Sequence, residues 1–293
     1  MRSGMVAVVG RPNVGKSSLM NALVGRKISI VSHKPQTTRH RIQGVLHDPR
    51  GQAVFVDTPG LHSKANRTLN KLMNDAAAGA IHDVELILWV VEAGYFNDED
   101  RAVLERLKGS TSPVALVVNK VDKYDDKDKL LPELEKLTAL ADFRFVVPVS
   151  AHKKANLESL KNALFEHLPQ GEPMYPEDMV MGHDVPFAAA EIIREKLIRN
   201  LHQEMPYATT VEIEDYEREG QMDRISAIIW VEREGQKAIV IGNGGETLKL
   251  IGSNARRDIE RAVGRKVFLK LWCKVKENWS DDPKALTKFG YSG

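Results

Sequence analysis

The stretch GRPNVGKSS (Gly10–Ser18) follows the apolar run MVAVV near the start of the chain. Gly10-x-x-x-x-Gly15-Lys16-Ser17 fits the phosphate-binding loop pattern, and it sits between a strand-like run and a helical one, as that loop requires. Its glycines let backbone N–H groups wrap a phosphate, and the helix that begins at Lys16 adds the positive end of its dipole. The whole of Gly10, Arg11, Pro12, Asn13, Val14, Gly15, Lys16, Ser17 and Ser18 is therefore the candidate phosphate site. Lys16 is expected to reach the β- and γ-phosphates, and the Ser17 hydroxyl to ligate Mg²⁺.

The base is read further on. NKVD (Asn119–Asp122) follows the apolar strand VALVV, at the carboxyl end where open α/β sheets bind ligands. An aspartate there can accept from both the ring N–H and the exocyclic amino group of guanine, a pair that adenine lacks. Asn119, Lys120 and Asp122 are thus candidate guanine contacts, with Ser150 and Ala151 of SAHK (Ser150–Lys153) placed to meet the guanine oxygen. DTPG follows the strand AVFV, so Asp57 is expected at Mg²⁺ and Thr58, Pro59 and Gly60 at the γ-phosphate. SHKPQTTRHR has the position of a mobile switch whose threonine meets Mg²⁺. Thr37 and Thr38 compete for that role, and Thr38 is preferred. These residues read as a GTPase.

Around the motifs, short Val-rich runs alternate with segments of helical length from Met5 to about Leu168, including Lys16–Val24, Leu69–His82, Asp98–Lys108 and Leu130–Ala141. That order predicts a mostly parallel sheet with helices on both faces. HRIQGVLHDPRGQAVFVD carries a DPRG turn and predicts one antiparallel hairpin. LPQGEPMYPEDMVMG, with three prolines, reads as a linker. Beyond it comes a smaller α+β unit: helix Pro186–Gln203, strands Ala208–Tyr216 and Arg224–Val231, a glycine-rich turn, helix Gly252–Val263 and strand Lys266–Lys276. The expected division is 1–170, a linker at 171–184, an α+β domain at 185–278 and a tail at 279–293.

The chain of 293 residues carries a net charge of +2, yet Arg224–Lys276 holds twelve lysines and arginines against five acids. A local excess of this size points to a polyanion partner for that part or to a solvated charged face. Gly242-Asn243-Gly244-Gly245 lies inside the block, and a Gly-x-x-Gly turn between two helices is how KH domains clamp a single-stranded nucleic-acid backbone. Lys249, Arg256, Arg257, Arg261 and Lys266 stand near it, whereas Asn243 and Gly244 add no charge to the turn itself. Arg233 and Lys237 read as hairpin surface residues. Ile192, Ile193, Leu197 and Leu201 recur at helical spacing and are expected core, as is Trp272 on the last strand. Trp279 and Tyr291 either stack on bases or pack the tail down. The longest apolar run, LILWVV, is far short of the roughly 20 residues of a membrane-spanning helix. No signal-peptide pattern opens the chain, and the single cysteine, Cys273, suits a reducing cytoplasm.

Taken in order, GRPNVGKSSL, PQTTRHR, DTPGLH, NKVD and SAHK resemble the Era family of bacterial ribosome-assembly GTPases. The phrases AAEIIREKLIRNL and WVEREGQKAIVIGNGGETLKLIG resemble its type II KH domain, so the likeness runs from about residue 5 to the C-terminus. The resemblance implies a GTP-switched protein that binds the 3′ end of 16S rRNA and assists maturation of the 30S subunit. It also implies that Leu61, where many small GTPases place a water-orienting glutamine, marks a group whose asparagine (here Asn13) ligates K⁺ beside the phosphates. Intrinsic hydrolysis is then expected to be slow. A monomer with peripheral contact to the inner face of the cell membrane is a further implication, although the residues carry no lipidation motif. Two other readings remain: a membrane-associated signalling GTPase whose basic domain meets anionic lipids, and a constitutive RNA-binding module that holds GTP as a structural cofactor.

Overall fold

The computed structural model describes residues 1–32, 37–40, 42–57, 68–79, 81, 83–124, 130–177, 179, 184–201 and 205–291. Thr58, Pro59, Gly60 and Leu61 lie outside the described residues. The chain forms two compact units, one built chiefly on Met1–Asn66 and Asn70–Gly182, the other on His183–Ser292.

The first unit is a six-stranded sheet in the order β2 (Ile42–Asp48), β3 (Gly51–Asp57), β1 (Arg2–Val9), β4 (Leu86–Glu92), β5 (Val114–Asn119), β6 (Val146–Pro148). All neighbours run parallel except β2 and β3, which form the hairpin that the DPRG turn predicts. Val6–Val9, Leu86–Val91 and Ala115–Val118 are almost wholly buried, because helices cover both faces of a parallel sheet and leave no polar side for alternation. The helices are α1 (Lys16–Val24), α2 (Thr68–Gly79), α3 (Asp98–Leu107), α4 (Leu131–Thr138) and α5 (Leu157–His167). Strand order reverses beside β1, so the loops at the carboxyl ends of β1, β4 and β5 converge on the crevice where such sheets take ligands.

The proline-rich stretch after α5 begins as a strap on this unit rather than as a free linker. The Gln52 side chain donates to the Tyr175 carbonyl (2.8 Å) and accepts from the Met174 and Tyr175 N–H groups (2.8 and 3.0 Å).

The second unit packs α6 (Val185–Asn200), α7 (Glu234–Ile241) and α8 (Glu246–Val263) on one face of a sheet ordered β7 (Thr210–Glu219), β8 (Met222–Val231), β9 (Lys266–Val275). β7 and β8 are antiparallel, β8 and β9 parallel. Ile193, Leu197 and Leu201 are buried in its core, with Ile192 packed at the margin.

Three readings need correction. The eight-residue helix α7 was absent from the predicted order; it is too short for a periodic apolar pattern, and Gln236 fixes its start by accepting from the Glu232 and Arg233 N–H groups. Arg233 and Lys237 therefore belong to this helix and its cap, not to a hairpin. Trp272 is 54% exposed, because helices cover only one face of the sheet and Trp272 points to the other.

The tail, by contrast, is folded in. Trp279 is fully buried, donates through its indole N–H to the Ala208 carbonyl (3.2 Å) and stacks on Tyr291 at 6.2 Å between centroids. The short helix α9 (Pro283–Lys288) carries Phe289 onto Trp230 and Trp279.

Candidate nucleotide site and nucleic-acid groove

At the mouth of the crevice the loop from Gly10 to Gly15 turns back over the start of α1. Lys16 is only 7% exposed, and its Nζ donates to the carbonyls of Gly10 and Arg11, both at 2.9 Å. Burial pushes the Lys16 ammonium down to about 8, against the attraction of Asp57. Ser17 and Ser18 open the same helical turn. Arg11, read above as part of the phosphate site, sends its guanidinium elsewhere: to Asp100 at 2.9 Å and Glu92 at 3.3 Å, under the ring of Tyr95. Only its backbone is left for a phosphate.

Three hydroxyls converge on one buried carboxylate. Ser17 and Ser29 each donate to Asp57 Oδ2 at 2.7 Å, and Thr38 donates to it at 3.4 Å while lying 3.1 Å from the Ser17 hydroxyl. Asp57 has no exposure, its Oδ1 has no hydrogen-bond partner among the described residues, and burial raises its pKa against the pull of Ser29, Lys16, Ser17 and Thr38. A carboxylate with an orphaned oxygen, ringed by hydroxyls, is a donor set suited to a hard cation such as Mg²⁺. Of the two switch threonines it is Thr38 that reaches this cluster. Ser29 was missed by the sequence reading, since nothing in KISIVS marks it.

The loops after β5 and β6 meet the first loop through Asn119. Its amide donates to the Val14 carbonyl (2.9 Å) and accepts from the Ala151 N–H (3.0 Å). A Cβ on Gly15, which stands at φ +100°, would lie 2.3 Å from that amide, so the position takes only glycine. Lys120, at φ +65°, donates to the Asn13 carbonyl (2.6 Å) and to Glu92 (2.7 Å). Asp122 accepts from the buried Ser150 hydroxyl at 2.5 Å, which in turn accepts from the Lys153 N–H. Glu92, the last residue of β4, holds Arg11, Lys120 and Lys123 together. Partial burial disfavours its charge, yet the two lysines outweigh that and hold its pKa down at about 2. It too was missed, for it reads as the polar end of a buried strand.

In the second unit the turn Gly242–Gly245 joins α7 to α8. Gly242 has φ +73°, and a Cβ there would lie 2.2 Å from the Thr247 hydroxyl. Beside the turn runs a cavity of about 360 Å³, lined by Gly245, Lys249, Gly252, Ser253 and Arg256 and walled by Leu269 and Leu271 of β9. Asn243 and Gly244 stand exposed at the turn. Arg256 is paired with Glu260 at 3.1 Å and Arg261 with Asp258 at 3.1 Å. Arg257 is exposed on α8 but does not line the cavity. Glycine turn, apolar wall and flanking cations together suit a sugar-phosphate strand with its bases laid against the sheet edge.

Comparison with known proteins agrees with both units. The family described as 50S ribosome-binding GTPase matches residues 5–120, and the KH domain family matches residues 204–280. The chain is 53% identical to the GTPase Era of Stenotrophomonas maltophilia over 288 residues, covering 98% of this chain and 97% of the relative. It is also 53% identical to that of Xanthomonas oryzae pv. oryzae over 290 residues, covering 99% and 97%. Among solved structures it resembles an Aquifex aeolicus Era variant bound to GDP.AlF4⁻ (TM-score 0.96, 36% identity) and Era in complex with MgGDPNP and nucleotides 1506–1542 of 16S ribosomal RNA (TM-score 0.95, 37% identity). Each covers the whole of both chains. The chain belongs to the Era family of GTPases.

Proposed function

We propose, from the premise that this chain is an Era-family GTPase, that it hydrolyses GTP to GDP and phosphate and uses the nucleotide to govern binding of the 16S rRNA 3′ end. The observation that carries the reading is the Asp57 cluster: a buried carboxylate with one unpartnered oxygen, next to a buried lysine on a phosphate loop. Ser17, Thr38 and Asp57 are the residues that would hold Mg²⁺, which when bound neutralises charge developing on the phosphates. The loop N–H groups and Lys16 bind and orient the triphosphate. Asn119 fixes the guanine loop against the phosphate loop, and Asp122 reads the base. Asp122 itself is exposed, but Asn119, Ser150 and Ala151 beside it are buried, and a site that hydrogen-bonds the base edge in this way rejects a mismatched base by roughly 10⁴–10⁵.

Leu61, where a water-orienting glutamine stands in many small GTPases, has no proton-accepting group. Hydrolysis is therefore slow in the isolated protein, and Asn13 is the residue that would hold K⁺, which when bound would supply positive charge to the developing transition state. Replacing K⁺ by Na⁺ lowers turnover if that assignment holds. In the second unit the Gly242–Gly245 turn clamps single-stranded RNA, with Lys249 and Arg256 supplying phosphate attraction. Its role is assistance to maturation of the 30S subunit, as a cytoplasmic monomer with peripheral contact to the inner membrane face.

The test is binding of a labelled oligonucleotide copying the 16S rRNA 3′ end to nucleotide-free, GDP-loaded and non-hydrolysable-GTP-loaded protein at two salt concentrations. Tighter binding in the GTP form, lost on scrambling the sequence, supports the switch. Equal and strongly salt-dependent binding in all three forms refutes it and leaves a constitutive RNA-coating surface.

A further inference from the structure

The side chains of β9 alternate between two environments. Val267, Leu269, Leu271, Cys273 and Val275 face the helices, and two of them also wall the groove beside the glycine turn. Lys266, Phe268, Lys270, Trp272 and Lys274 face the other way, as the two-residue period of a strand requires. β9 is one of the two edge strands of its sheet, and on this outward face Phe268 is 43% and Trp272 54% exposed. Among the described residues the folded tail covers the end near Trp230, where Phe289 and Lys288 lie against that ring.

Charge on this face is graded across the sheet. On β7, Asp215 and Glu217 are exposed opposite Ser226 and Arg224 of β8. Arg224 is paired with Glu219, and Lys274 lies 3.6 Å from Glu214. Lys270 forms no ion pair among the described residues, and its ammonium stands 5.7 Å from the Phe268 centroid, with the Arg224 guanidinium at 5.5 Å from the same ring. An anionic ligand is thus repelled from β7 and drawn to β9. Two large exposed rings about 13 Å apart along one strand, interleaved with lysines, are the composition of a stacking platform for a single strand, because every base has a flat face to lay on an aromatic ring.

We propose that the outward face of β9, formed by Phe268, Lys270, Trp272 and Lys274, is a second contact for single-stranded RNA. A strand held in the groove at Gly242–Gly245 passes round the edge of the sheet, one strand thick at this place, and stacks its next bases on the two rings. The proposal rests on the reading of the second unit as an RNA binder and extends its footprint beyond the four nucleotides that a KH groove clamps.

The experiment compares a tetranucleotide with a twelve-nucleotide RNA of the same 5′ sequence, both copied from the 16S rRNA 3′ end, on the full chain loaded with non-hydrolysable GTP. Phe268→Ala/Trp272→Ala should leave tetranucleotide affinity unchanged and weaken the longer RNA about tenfold or more. Lys270→Gln should lower the salt slope for the longer RNA by about 0.7. Trp89 and Trp279 are fully buried and Trp230 is half-buried against Phe289, so Trp272→Phe, which preserves a ring, should abolish most of the fluorescence quenching by the longer RNA without needing the fold to tolerate a truncation. If the wild type binds both lengths, and the alanine double variant binds the longer one equally tightly with quenching retained in Trp272→Phe, the face is overturned and the groove stands. If the wild type binds neither RNA, the reading of the groove fails and this proposal fails with it.

Discussion

In the first unit the charged and polar groups around the phosphate loop are taken out of water: Asp57, Lys16 and Asn119 are each less than a tenth exposed. In the second, the cations around the glycine turn stay at the surface, and two of them, Arg256 and Arg261, are already paired with carboxylates of their own helix. The difference teaches what each site can do. Buried groups with fixed partners discriminate, because a wrong ligand leaves one of them unsatisfied at a cost of about 1–3 kcal/mol. Exposed cations attract any polyanion and are screened by salt.

The comparison breaks most visibly at the base. Asp122→Asn should reverse preference between GTP and xanthosine triphosphate by roughly 10⁴, read as the ratio of their dissociation constants; if ATP binds the wild type as well as GTP does, the guanine assignment is wrong. Lys16 offers the next test. Its ammonium in the nucleotide-free protein is lowered to about 8, and phosphates restore its charge. Above pH 8 the free protein has partly lost that proton and must recover it on binding. GTP affinity should therefore fall about tenfold per pH unit past 8. Proton uptake at pH 9, measured calorimetrically in two buffers of different ionisation enthalpy, checks the sign; no uptake excludes the linkage. The same depressed pKa means that the nucleotide-free fold gains stability from this group as pH rises from 8 toward 10.5, where the unfolded chain holds the proton and the folded one does not.

Smaller in effect, Glu92→Gln leaves Arg11, Lys120 and Lys123 without their shared carboxylate and should weaken GDP about tenfold without changing the preference for guanine over adenine. An altered preference would show that Glu92 acts on the base. Smallest of all, Lys249→Gln should weaken RNA a few-fold across all sequences and lower the salt slope by about 0.7. A change confined to one sequence would place Lys249 on a base instead.

Much of the first unit was legible because its motifs are contiguous and each closes a strand. The convergence of Ser17, Ser29, Thr38 and Asp57 was only partly so: four positions far apart in the chain meet through folding, and Ser29 has no flanking pattern to mark it. Glu92 has the same disguise. Trp272 was misread for a different reason. Alternation says that a strand has two faces, not which is covered, although its parity with Lys266, Lys270 and Lys274 carried the answer. The helix α7 escaped because eight residues give barely two turns of period.

Asn119 fills the space that a side chain on Gly15 would need, and its amide joins the first loop to the one at Ala151. Three segments, the first 105 residues before Asn119 and the last 32 after it, are thereby one hereditary unit. A recombination breakpoint that brought the N-terminal hundred residues from a distant relative would have to preserve both sides of that fit, so exchange is expected to move the whole first unit at once.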